Sequence, residues 1–500
     1  MKTTVSVSAL ALFAATGAIA QDLPQAESQW FTDGQSAVQA MIDRQPNTNT
    51  AKNIIVLVAD GNGVGTNYIT RLFDGQQKGM LGEENVLPYE TPDWSSALIK
   101  TYNINAQTPD SAPTAGAMNT GVKQRFNLIN LGGDAIHDDC STVDGNELTT
   151  FGEIVTGMDK SVGFVSTARV THATPAAVYS KTANRNWEDS VPEECDGIQT
   201  DIATQLIDQM EAGMIDFAMG GGRRHFVPEG VETDEGGSGR RADGVNLIDR
   251  ATGLGAQYAW NTETFNALTN DSPVLALFND SHMEYEADRA DDDEPSLADM
   301  TKKAIEFLSQ NENGYYLEIE AGRVDHANHA GNAARVVRDG VAYAEAVAMA
   351  DELTDDEDTL IIVTADHEHA LALNGYCGRG SDIMGLCYDV AQRGDKHSDD
   401  LVLGSDGKPF TIVGYLNGAG SVLVEQEDGT YAAPEGRPEI TQDDATDLDY
   451  VQQALVPKSS ESHSGEDVAV YAKGPWAHLF DSTLEQNVIF HVMHHAVTAK

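Results

Sequence analysis

Acidic residues followed closely by histidine or glycine recur along this chain. The segments are Asp60-Gly61, Glu320-x4-Asp325-His326-x2-His329 and Asp366-His367. Asp325 and His329 are four residues apart, so one helical turn would point both side chains at a single ion, as tetrahedral zinc sites require. Asp366 and His367 offer a second oxygen and nitrogen pair. One such spacing is common by chance on a solvated helix, but its repetition favours metal binding.

A further histidine, His463, lies far along the chain in a segment rich in glycine and serine. On its own it predicts little. If it joins Asp325 and His329, the set has three protein ligands and leaves one coordination position for substrate or water. That arrangement is typical of a catalytic zinc rather than a structural one.

Hard oxygen ligands are also available. Thr174, together with Asp60 and Glu320, would supply oxygens to an octahedral Mg²⁺ that keeps its remaining waters. His172, two residues before Thr174, lies on the same side of the chain if this segment is extended. The competing interpretation is a polar strand exit capped by threonines.

Ser111 is the candidate nucleophile, in the segment Asp110-Ser111-Ala112-Pro113. Small residues follow and can form a helix, whose first amides and dipole would favour a bound anion beside Ser111. The competing interpretation is a helix N-cap supplied by Asp110 or Ser111. The Gly-x-Ser-x-Gly pattern of α/β-hydrolases is absent. Arg185 could form a bidentate fork to a tetrahedral oxyanion, although most single arginines are surface groups.

Residues 61–65, Gly-Asn-Gly-Val-Gly, invite a dinucleotide-binding interpretation. The spacing is not Gly-x-Gly-x-x-Gly, and Asp60 would place a negative charge where pyrophosphate must lie. A metal ligand followed by a tight turn explains the segment better.

These candidate residues follow segments that are typical of buried strands. A continuous, mostly β-branched apolar run covers residues 53–58, and similar strand-like segments ending near an acid or a serine cover residues 162–166, 315–320 and 360–366. Segments of helical periodicity separate them, at residues 201–210, 297–310 and 333–353. This alternation predicts an α/β protein with a mostly parallel sheet, and it places function at the carboxyl ends of the strands.

The chain is expected to contain an export signal and one large domain. Residues 1–20 combine Lys2, an apolar run and the small-residue ending Ala18-Ile19-Ala20, which signal peptidase accepts. The mature protein, residues 21–500, is therefore expected in the periplasm or outside the cell, without a membrane span. Within it, residues 375–457 are rich in Gly, Asp and Gln, which predicts an inserted, loop-rich, crown-like subdomain.

Composition limits the possible partners. The 500 residues include 79 Asp and Glu against 31 Lys and Arg, a formal charge of −48. This charge argues against a protein that binds nucleic acid or anionic membranes. An anionic substrate must therefore be held by local positive charge, and we expect added salt to raise kcat/KM at low ionic strength.

Four cysteines form an even set, which favours two disulfides in an exported chain. Pairing sequence neighbours, Cys140 with Cys195 and Cys377 with Cys387, is the simplest of three connectivities. A thiolate metal site is disfavoured because the Cys-x2-Cys spacing is missing.

Taken together, these motifs resemble the metal-dependent alkaline phosphatase family, and in particular its animal-type members. The match runs in order from Asp60 to the C-terminal His491-Val492-Met493. The segments that carry it are Ala59-Asp60-Gly61, Asp110-Ser111-Ala112, Thr171-His172-Ala173-Thr174-Pro175, Asn184-Arg185-Asn186-Trp187, Glu320-x4-Asp325-His326-x2-His329, Thr364-Ala365-Asp366-His367 and His463-x2-Glu466-Asp467.

The resemblance implies hydrolysis of phosphate monoesters with two Zn²⁺ and one Mg²⁺. The implied ligand sets are Asp325, His329 and His463 for one zinc, Asp60, Asp366 and His367 for the other, and Asp60, Thr174 and Glu320 for magnesium, with His172 touching the magnesium through water. Ser111 would be the nucleophile that becomes a phosphoserine, and Arg185 would hold the phosphate. His326 stands where some bacterial members have Lys or Trp, so their phosphate affinity cannot be transferred. His369 also recurs in animal-type members, without a firm role.

The resemblance further implies a large central sheet with helices on both faces and a homodimer that acts on small phosphate monoesters. Pairing of Cys140 with Cys195 agrees with animal-type members. A calcium site is implied only in part: Glu294, at the end of an acidic run that is more simply a solvated loop, matches an acid, but Asn279 stands where a carboxylate is expected.

Two other functions compete with this one. A sulfatase or a phosphodiesterase would share the metal ligands, but the segment around Ser111 lacks the Cys/Ser-x-Pro-x-Arg context of a sulfatase. A non-catalytic extracellular protein that binds metal or phosphate is the alternative from another class. It would not need a nucleophile, a phosphate-binding arginine and three metal sets together.

Overall fold

A computed structural model describes residues 23–291 and 293–499. The predicted export signal, residues 1–20, lies outside the described residues. The chain divides into two units, Met1–Gln45 and Pro46–Lys500. In the described part of the first unit, residues 29–43 form a helix; everything that follows concerns the second unit.

The strands, in chain order, are β1 (Asn53–Ala59), β2 (Ser95–Lys100), β3 (Ser161–Arg169), β4 (Phe217–Gly221), β5 (Gln257–Ala259), β6 (Val274–Leu277), β7 (Tyr315–Ala321), β8 (Thr359–Ala365), β9 (Glu368–His369), β10 (Leu371–Leu373), β11 (Val413–Gly418), β12 (Val424–Glu425), β13 (Tyr431–Ala432), β14 (Ala454–Pro457), β15 (His463–Ser464), β16 (Val468–Lys473) and β17 (Thr483–Glu485). The helices are α1 (Gln29–Asp43), α2 (Val64–Gln77), α3 (Ser111–Thr120), α4 (Phe151–Thr156), α5 (Ala173–Tyr179), α6 (Ile202–Glu211), α7 (Leu247–Gly253), α8 (Thr262–Asn266), α9 (Leu297–Leu308), α10 (Arg323–His329), α11 (Ala333–Glu352), α12 (Gln442–Ala445) and α13 (Val488–Thr498). Every strand and helix predicted from apolar runs and periodicity is present, with ends shifted by a few residues.

One sheet organises the second unit. Within the described residues it has ten strands in the order β17-β2-β16-β8-β1-β7-β3-β4-β6-β5. Neighbouring strands run parallel except at β16, which is antiparallel to both β2 and β8. The large, mostly parallel sheet predicted from the sequence is confirmed.

Side chains of the central strand β1 alternate between two hydrophobic cores. Ile54, Val56 and Val58 enter one core with residues of α3, α5, α6 and α13, whereas Ile55 and Leu57 enter the other with residues of α2, α9 and α11. Helices therefore cover both faces of the sheet, which explains why the strand is continuously apolar rather than alternating. Complete burial of a side chain such as Leu57 stabilises the fold by about 1.5–3 kcal/mol.

The carboxyl ends of β1, β7 and β8 meet at one edge of the sheet. β1 lies between the other two strands and is parallel to both, with Ala59 level with Ala365 of β8. Asp60 and Asp366 follow these two residues directly, and Glu320 lies near the end of β7. Sheet register alone thus brings three predicted ligands to one place, as parallel α/β sheets do.

Residues 375–457 contribute no described strand to the ten-stranded sheet. In this part of the chain β11 and β14 join β10 in a three-stranded sheet, and β12 pairs with β13. The chain then returns through β15, which pairs with β9 so that His463 lies opposite His369. This short antiparallel pair places a distant histidine beside the end of β8.

Both disulfides join sequence neighbours, Cys140 with Cys195 and Cys377 with Cys387. The predicted pairing is confirmed. Among the described residues, no helix combines the length and the apolar character that crossing a membrane requires.

Candidate active site

Ser111 is the first residue of α3 and is buried. Its Oγ lies 3.1 Å from Nε2 of His367 and 3.4 Å from Oδ1 of Asp60. The nucleophile predicted from the sequence therefore lies among the side chains that follow β1 and β8.

Asp110 occupies the N-cap position of α3, but its side chain accepts no hydrogen bond from the helix. Its carboxylate instead binds the guanidinium of Arg185 and accepts a hydrogen bond from the backbone N–H of Asn127 at 3.0 Å. The N-cap interpretation of this segment is wrong, because tertiary partners take the carboxylate. The side chain of Asp110 therefore leaves the positive end of the α3 dipole uncapped, and an anion is stabilised at such a helix end.

Arg185 has a second partner. Its Nη2 lies 2.9 Å from Nε2 of His172. A guanidinium can only donate, so this ring nitrogen is the acceptor and the imidazole is neutral. Burial, and then the charge of Arg185, hold the pKa of His172 well below its usual value. Arg185 is thus oriented from two sides before substrate binds.

Asp325, His329 and His463 come together as predicted. The Nε2 atoms of the two histidines are 3.1 Å apart, and each is 3.4 Å from Oδ1 of Asp325. Their Nδ1 atoms donate to the backbone carbonyls of Glu461 and Pro109. Both Nε2 atoms therefore present lone pairs to each other, an arrangement that a cation between them would stabilise.

Asp60, Asp366 and His367 form the second predicted group and are fully buried. Nε2 of His367 lies 3.3 Å from Asp60 and 3.4 Å from Asp366. Burial, and then the charge of Asp325, raise the pKa of Asp60 to about 8. Burial, and then the charge of Asp60, raise the pKa of Asp366 to about 6. A nearby positive charge would lower both pKa values and favour the ionised carboxylates.

Asp60, Glu320 and His172 form a third group, in which one ligand atom from each lies within 4.8 Å of the others. Oδ2 of Asp60, Oε1 of Glu320 and Oγ1 of Thr174 are buried and have no hydrogen-bond partner in the protein. Such oxygens are costly to bury unless something binds them. The donor atoms of all three groups are of the kinds that bind cations. Thr174 as a ligand of the third group stays a prediction.

The sequence model of the alkaline phosphatase family matches residues 51–499. This chain belongs to the alkaline phosphatase family. It is 38% identical to the alkaline phosphatase of Gadus morhua over 464 residues, which are 90% of this chain and 92% of the relative. It is 37% identical to the tissue-nonspecific isozyme of Homo sapiens over 483 residues, which are 93% and 88% of the two chains. The predicted likeness to animal-type alkaline phosphatases is confirmed.

Solved structures of bacterial alkaline phosphatases share the fold. The Thermus thermophilus enzyme superposes with a TM-score of 0.63 at 23% identity, covering 92% of this chain and 94% of that one. The enzyme of the Antarctic bacterium TAB5 superposes with a TM-score of 0.58 at 21% identity, covering 90% and 100%. The family and its relatives make the protein an enzyme, a metal-dependent hydrolase of phosphate monoesters.

His326 lies in a cluster of three imidazoles in this alkaline phosphatase. Its ring centroid is 5.5 Å from that of His172 and 4.0 Å from that of His282. Burial lowers the pKa of His326 to about 3. Sequence reasoning missed His282, although Asp280 and Glu284 flank it and are a signal that could have found it. Arg169, which contacts His282, is held by a bidentate ion pair with Glu188.

Two further residues of this alkaline phosphatase were not assigned from the sequence. His369 is buried beside Asp325, and Glu461 is buried beside His369. Burial opposes protonation of His369, but hydrogen bonds to Asp325 and Glu461 raise its pKa to about 10. Glu461 stands two residues before His463; that proximity to a ligand is the one signal that could have found it.

Glu294, the acid that matches the implied calcium site, is held by hydrogen bonds within the protein. Oε1 of Glu294 accepts from Nδ2 of Asn279 at 3.0 Å, and its Oε2 accepts from the backbone N–H of Glu284 at 2.9 Å. Burial raises the pKa of Glu294 to about 7. Among the described residues, the groups whose geometry suits an ion are Asp325, His329, His369 and His463; Asp60, Asp325 and His367; and Asp60, His172 and Glu320. Glu294 belongs to none of these groups. Calcium binding at Glu294 stays a prediction.

Proposed function

We propose that this alkaline phosphatase hydrolyses its esters through a phosphoserine on Ser111. The observation that carries the proposal is the position of Ser111 Oγ, within 3.4 Å of both Asp60 and His367, at the uncapped start of α3. The residue before it, Asp110, holds Arg185. A nucleophile and a phosphate-binding group are thus joined by one short segment.

The ligand sets that we propose follow the three groups of donors. They are Asp325, His329 and His463 for one Zn²⁺, Asp60, Asp366 and His367 for a second Zn²⁺, and Asp60, Thr174 and Glu320 for Mg²⁺, with His172 reaching the last through water. When bound, these ions supply Lewis acidity that lowers the pKa of the serine hydroxyl and of water and stabilises the leaving oxygen.

The side chains of the protein then have defined tasks. Ser111 Oγ attacks phosphorus and forms the Oγ–P bond while the bond from phosphorus to the ester oxygen breaks. The proton that the serine hydroxyl loses balances the proton that the leaving alcohol gains. The two Nη groups of Arg185 donate to two phosphoryl oxygens, since a guanidinium matches that geometry. His326 and His172 face the same phosphoryl group. A water oxygen then attacks phosphorus, the Oγ–P bond breaks and inorganic phosphate leaves, while a proton from the water restores the Ser111 hydroxyl.

Replacement of the nucleophile tests the proposal. Ser111→Ala should lower the turnover of an aryl phosphate monoester at alkaline pH by several orders of magnitude, while metal content is retained. Ser405→Ala, at an exposed serine, is the matched control. Turnover in Ser111→Ala close to that of the control would exclude a serine intermediate.

Parallel assays separate the related activities. Bis-aryl phosphate and aryl sulfate are assayed beside the monoester, with the native protein and with protein treated with EDTA and then restored with Zn²⁺ and Mg²⁺. Monoester turnover that is lost on chelation and returns with both metals supports the ligand sets. Faster cleavage of diester or sulfate by the restored protein would contradict the substrate class.

We further propose export, dimerisation and an inserted subdomain. The charge, apolar run and small-residue ending of residues 1–20 support cleavage near Gln21 and a periplasmic or extracellular location. Resemblance to the family supports a homodimer. Strands β11 and β14 form a small sheet with β10, and β12 pairs with β13, all apart from the ten-stranded sheet. This separation supports treating residues 375–457 as an insertion. N-terminal mass analysis of secreted protein and sedimentation of the purified protein test the first two.

A further inference from the structure

Glu461 is buried and uses every acceptor that it has. Its Oε2 accepts from Nδ1 of His369 at 2.6 Å, and its Oε1 accepts from the backbone N–H of Ala370 at 2.7 Å. Its backbone carbonyl accepts from Nδ1 of His329 at 2.6 Å. One residue therefore contacts two histidines that belong to different elements, β9 and α10.

His369 links Glu461 to Asp325, because its ring forms a hydrogen bond with each of the two carboxylates. The ring is fully buried, and its Nε2 donates to Oδ1 of Asp325 at 2.8 Å. The two ring nitrogens thus donate in opposite directions to two carboxylates. The glycine at position 61 makes room for this ring, because a Cβ there would lie 2.3 Å from Nε2 of His369.

These contacts determine how two metal ligands are presented. A hydrogen bond to Nδ1 of His329 leaves Nε2 as the lone-pair atom that faces Asp325 and His463. A hydrogen bond to Oδ1 of Asp325 orients its carboxylate. Outer hydrogen bonds of this kind typically contribute about 10–100-fold to metal affinity.

We propose that Glu461 is a positioning residue for the metal group of Asp325, His329 and His463. It acts through its side chain and His369 on Asp325, and through its carbonyl on His329. The inference rests on the proposed function, since it assumes that this group holds a zinc ion.

Glu461→Gln tests the side-chain route. A glutamine offers one oxygen where two N–H groups need acceptors, and its NH₂ group would face a donor. We expect this variant to bind zinc about 10–100-fold more weakly than the wild type, as measured by competition between the purified holoenzyme and a chromophoric chelator. Glu427→Gln, an exposed residue with the same charge change, should match the wild type. Equal zinc affinity in Glu461→Gln and Glu427→Gln would overturn the proposal.

A double-mutant cycle tests whether the effect passes through His369. His369→Gln retains a group that can donate towards Asp325 but none towards Glu461, so it should also weaken zinc binding. Because Glu461 and His369 act in one chain of contacts, the double variant should bind zinc only slightly more weakly than the single variant with the lower zinc affinity. Losses that add would show that the two residues act separately. If Glu461→Gln does not fold, unchanged zinc affinity in folded His369→Gln would overturn the proposal by itself.

The same measurements separate this inference from the proposed function. A wild-type protein that binds no zinc in the competition assay would refute the ligand sets. A wild-type protein that binds zinc tightly, with Glu461→Gln equal to its control, would refute only the role of Glu461.

Discussion

Arg185, the proposed phosphate-binding group, is oriented by the protein in advance. Asp110 and His172 hold its guanidinium, so little conformational freedom remains to be lost when phosphate binds. The carboxylate of Asp110 offsets part of the positive charge of Arg185, which lowers the free-energy cost of burying the guanidinium. Preorganisation of this kind explains how a chain of charge −48 can retain an anion.

Arg185→Ala should weaken inhibition by inorganic phosphate by about 100-fold or more, because Arg185 donates two hydrogen bonds and each hydrogen bond to a charged group contributes about 1.5–3 kcal/mol. Arg185→Lys should recover only part of the loss, since an ammonium cannot form a fork. The inhibition constant of phosphate is the measurement. Arg393→Ala, at an exposed arginine, should leave it unchanged, and an unchanged constant in Arg185→Ala would remove Arg185 from the phosphate site.

Glu318 gives stability a dependence on pH. It lies in the core on β7, where Asn119 and Tyr316 donate to its Oε2, while Oε1 has no partner. Burial raises its pKa from 4.5 to about 7. Between these values the folded state keeps a proton that the unfolded state has lost, so this residue makes the wild type less stable as pH rises, by about 3 kcal/mol in total.

Glu318→Gln removes that dependence. Its free energy of unfolding, relative to that of the wild type, should increase by about 3 kcal/mol between pH 4 and pH 8.5, as measured by denaturant titration at both pH values. Glu312→Gln, at an exposed position that precedes β7, should show no such change. An equal shift in both variants would place the effect outside residue 318.

At the scale of elements, the turn between β1 and α2 determines how closely β9 approaches the site. Gly61 has a φ of +68°, and a Cβ at Gly63 would lie 1.9 Å from Oε2 of Glu368. Both glycines therefore make room for side chains of β9 rather than for a dinucleotide. The interpretation of this segment as a metal ligand followed by a tight turn agrees with the contacts.

Gly61→Ala should combine a backbone penalty with displacement of His369. A left-handed conformation costs an L-residue about 1–2 kcal/mol. Gly79→Ala is a matched control, since Gly79 has a φ of +79° and nothing within 4 Å of the added Cβ. We expect both variants to be destabilised in urea titrations, and only Gly61→Ala to lose zinc on dialysis. Zinc retention equal to that of Gly79→Ala would contradict the close approach of His369.

At the scale of the whole molecule, charge opposes the encounter with substrate. The chain carries −48, and a phosphate monoester is an anion, so long-range forces repel it until it reaches the metal groups. Added salt screens the distant charges more than the close ones. We expect kcat/KM to rise severalfold from very low to about 0.1 M ionic strength. A clear fall in kcat/KM over that range, with metal content held constant, would contradict this expectation.

The sequence by itself indicated the central strands of the sheet, three of its helices and the candidate residues for the chemistry. Apolar runs such as residues 53–58 are local patterns, and parallel strand order follows from their alternation with helices. The motifs around Asp60, Ser111, Asp325 and Asp366 are short, so the chain displays them without folding. The disulfide pairing could also be predicted from the sequence, because four cysteines allow few connectivities.

Only the tertiary structure decided which partners these residues take. Asp110 had a good local role as a helix cap, and it binds Arg185 instead because folding brings an uncompensated guanidinium to it. Glu461 and His369 are 92 residues apart, and they meet because β15 pairs with β9. A hydrogen bond between such distant residues leaves no local pattern in the sequence, since its energy depends on geometry that the sheet creates.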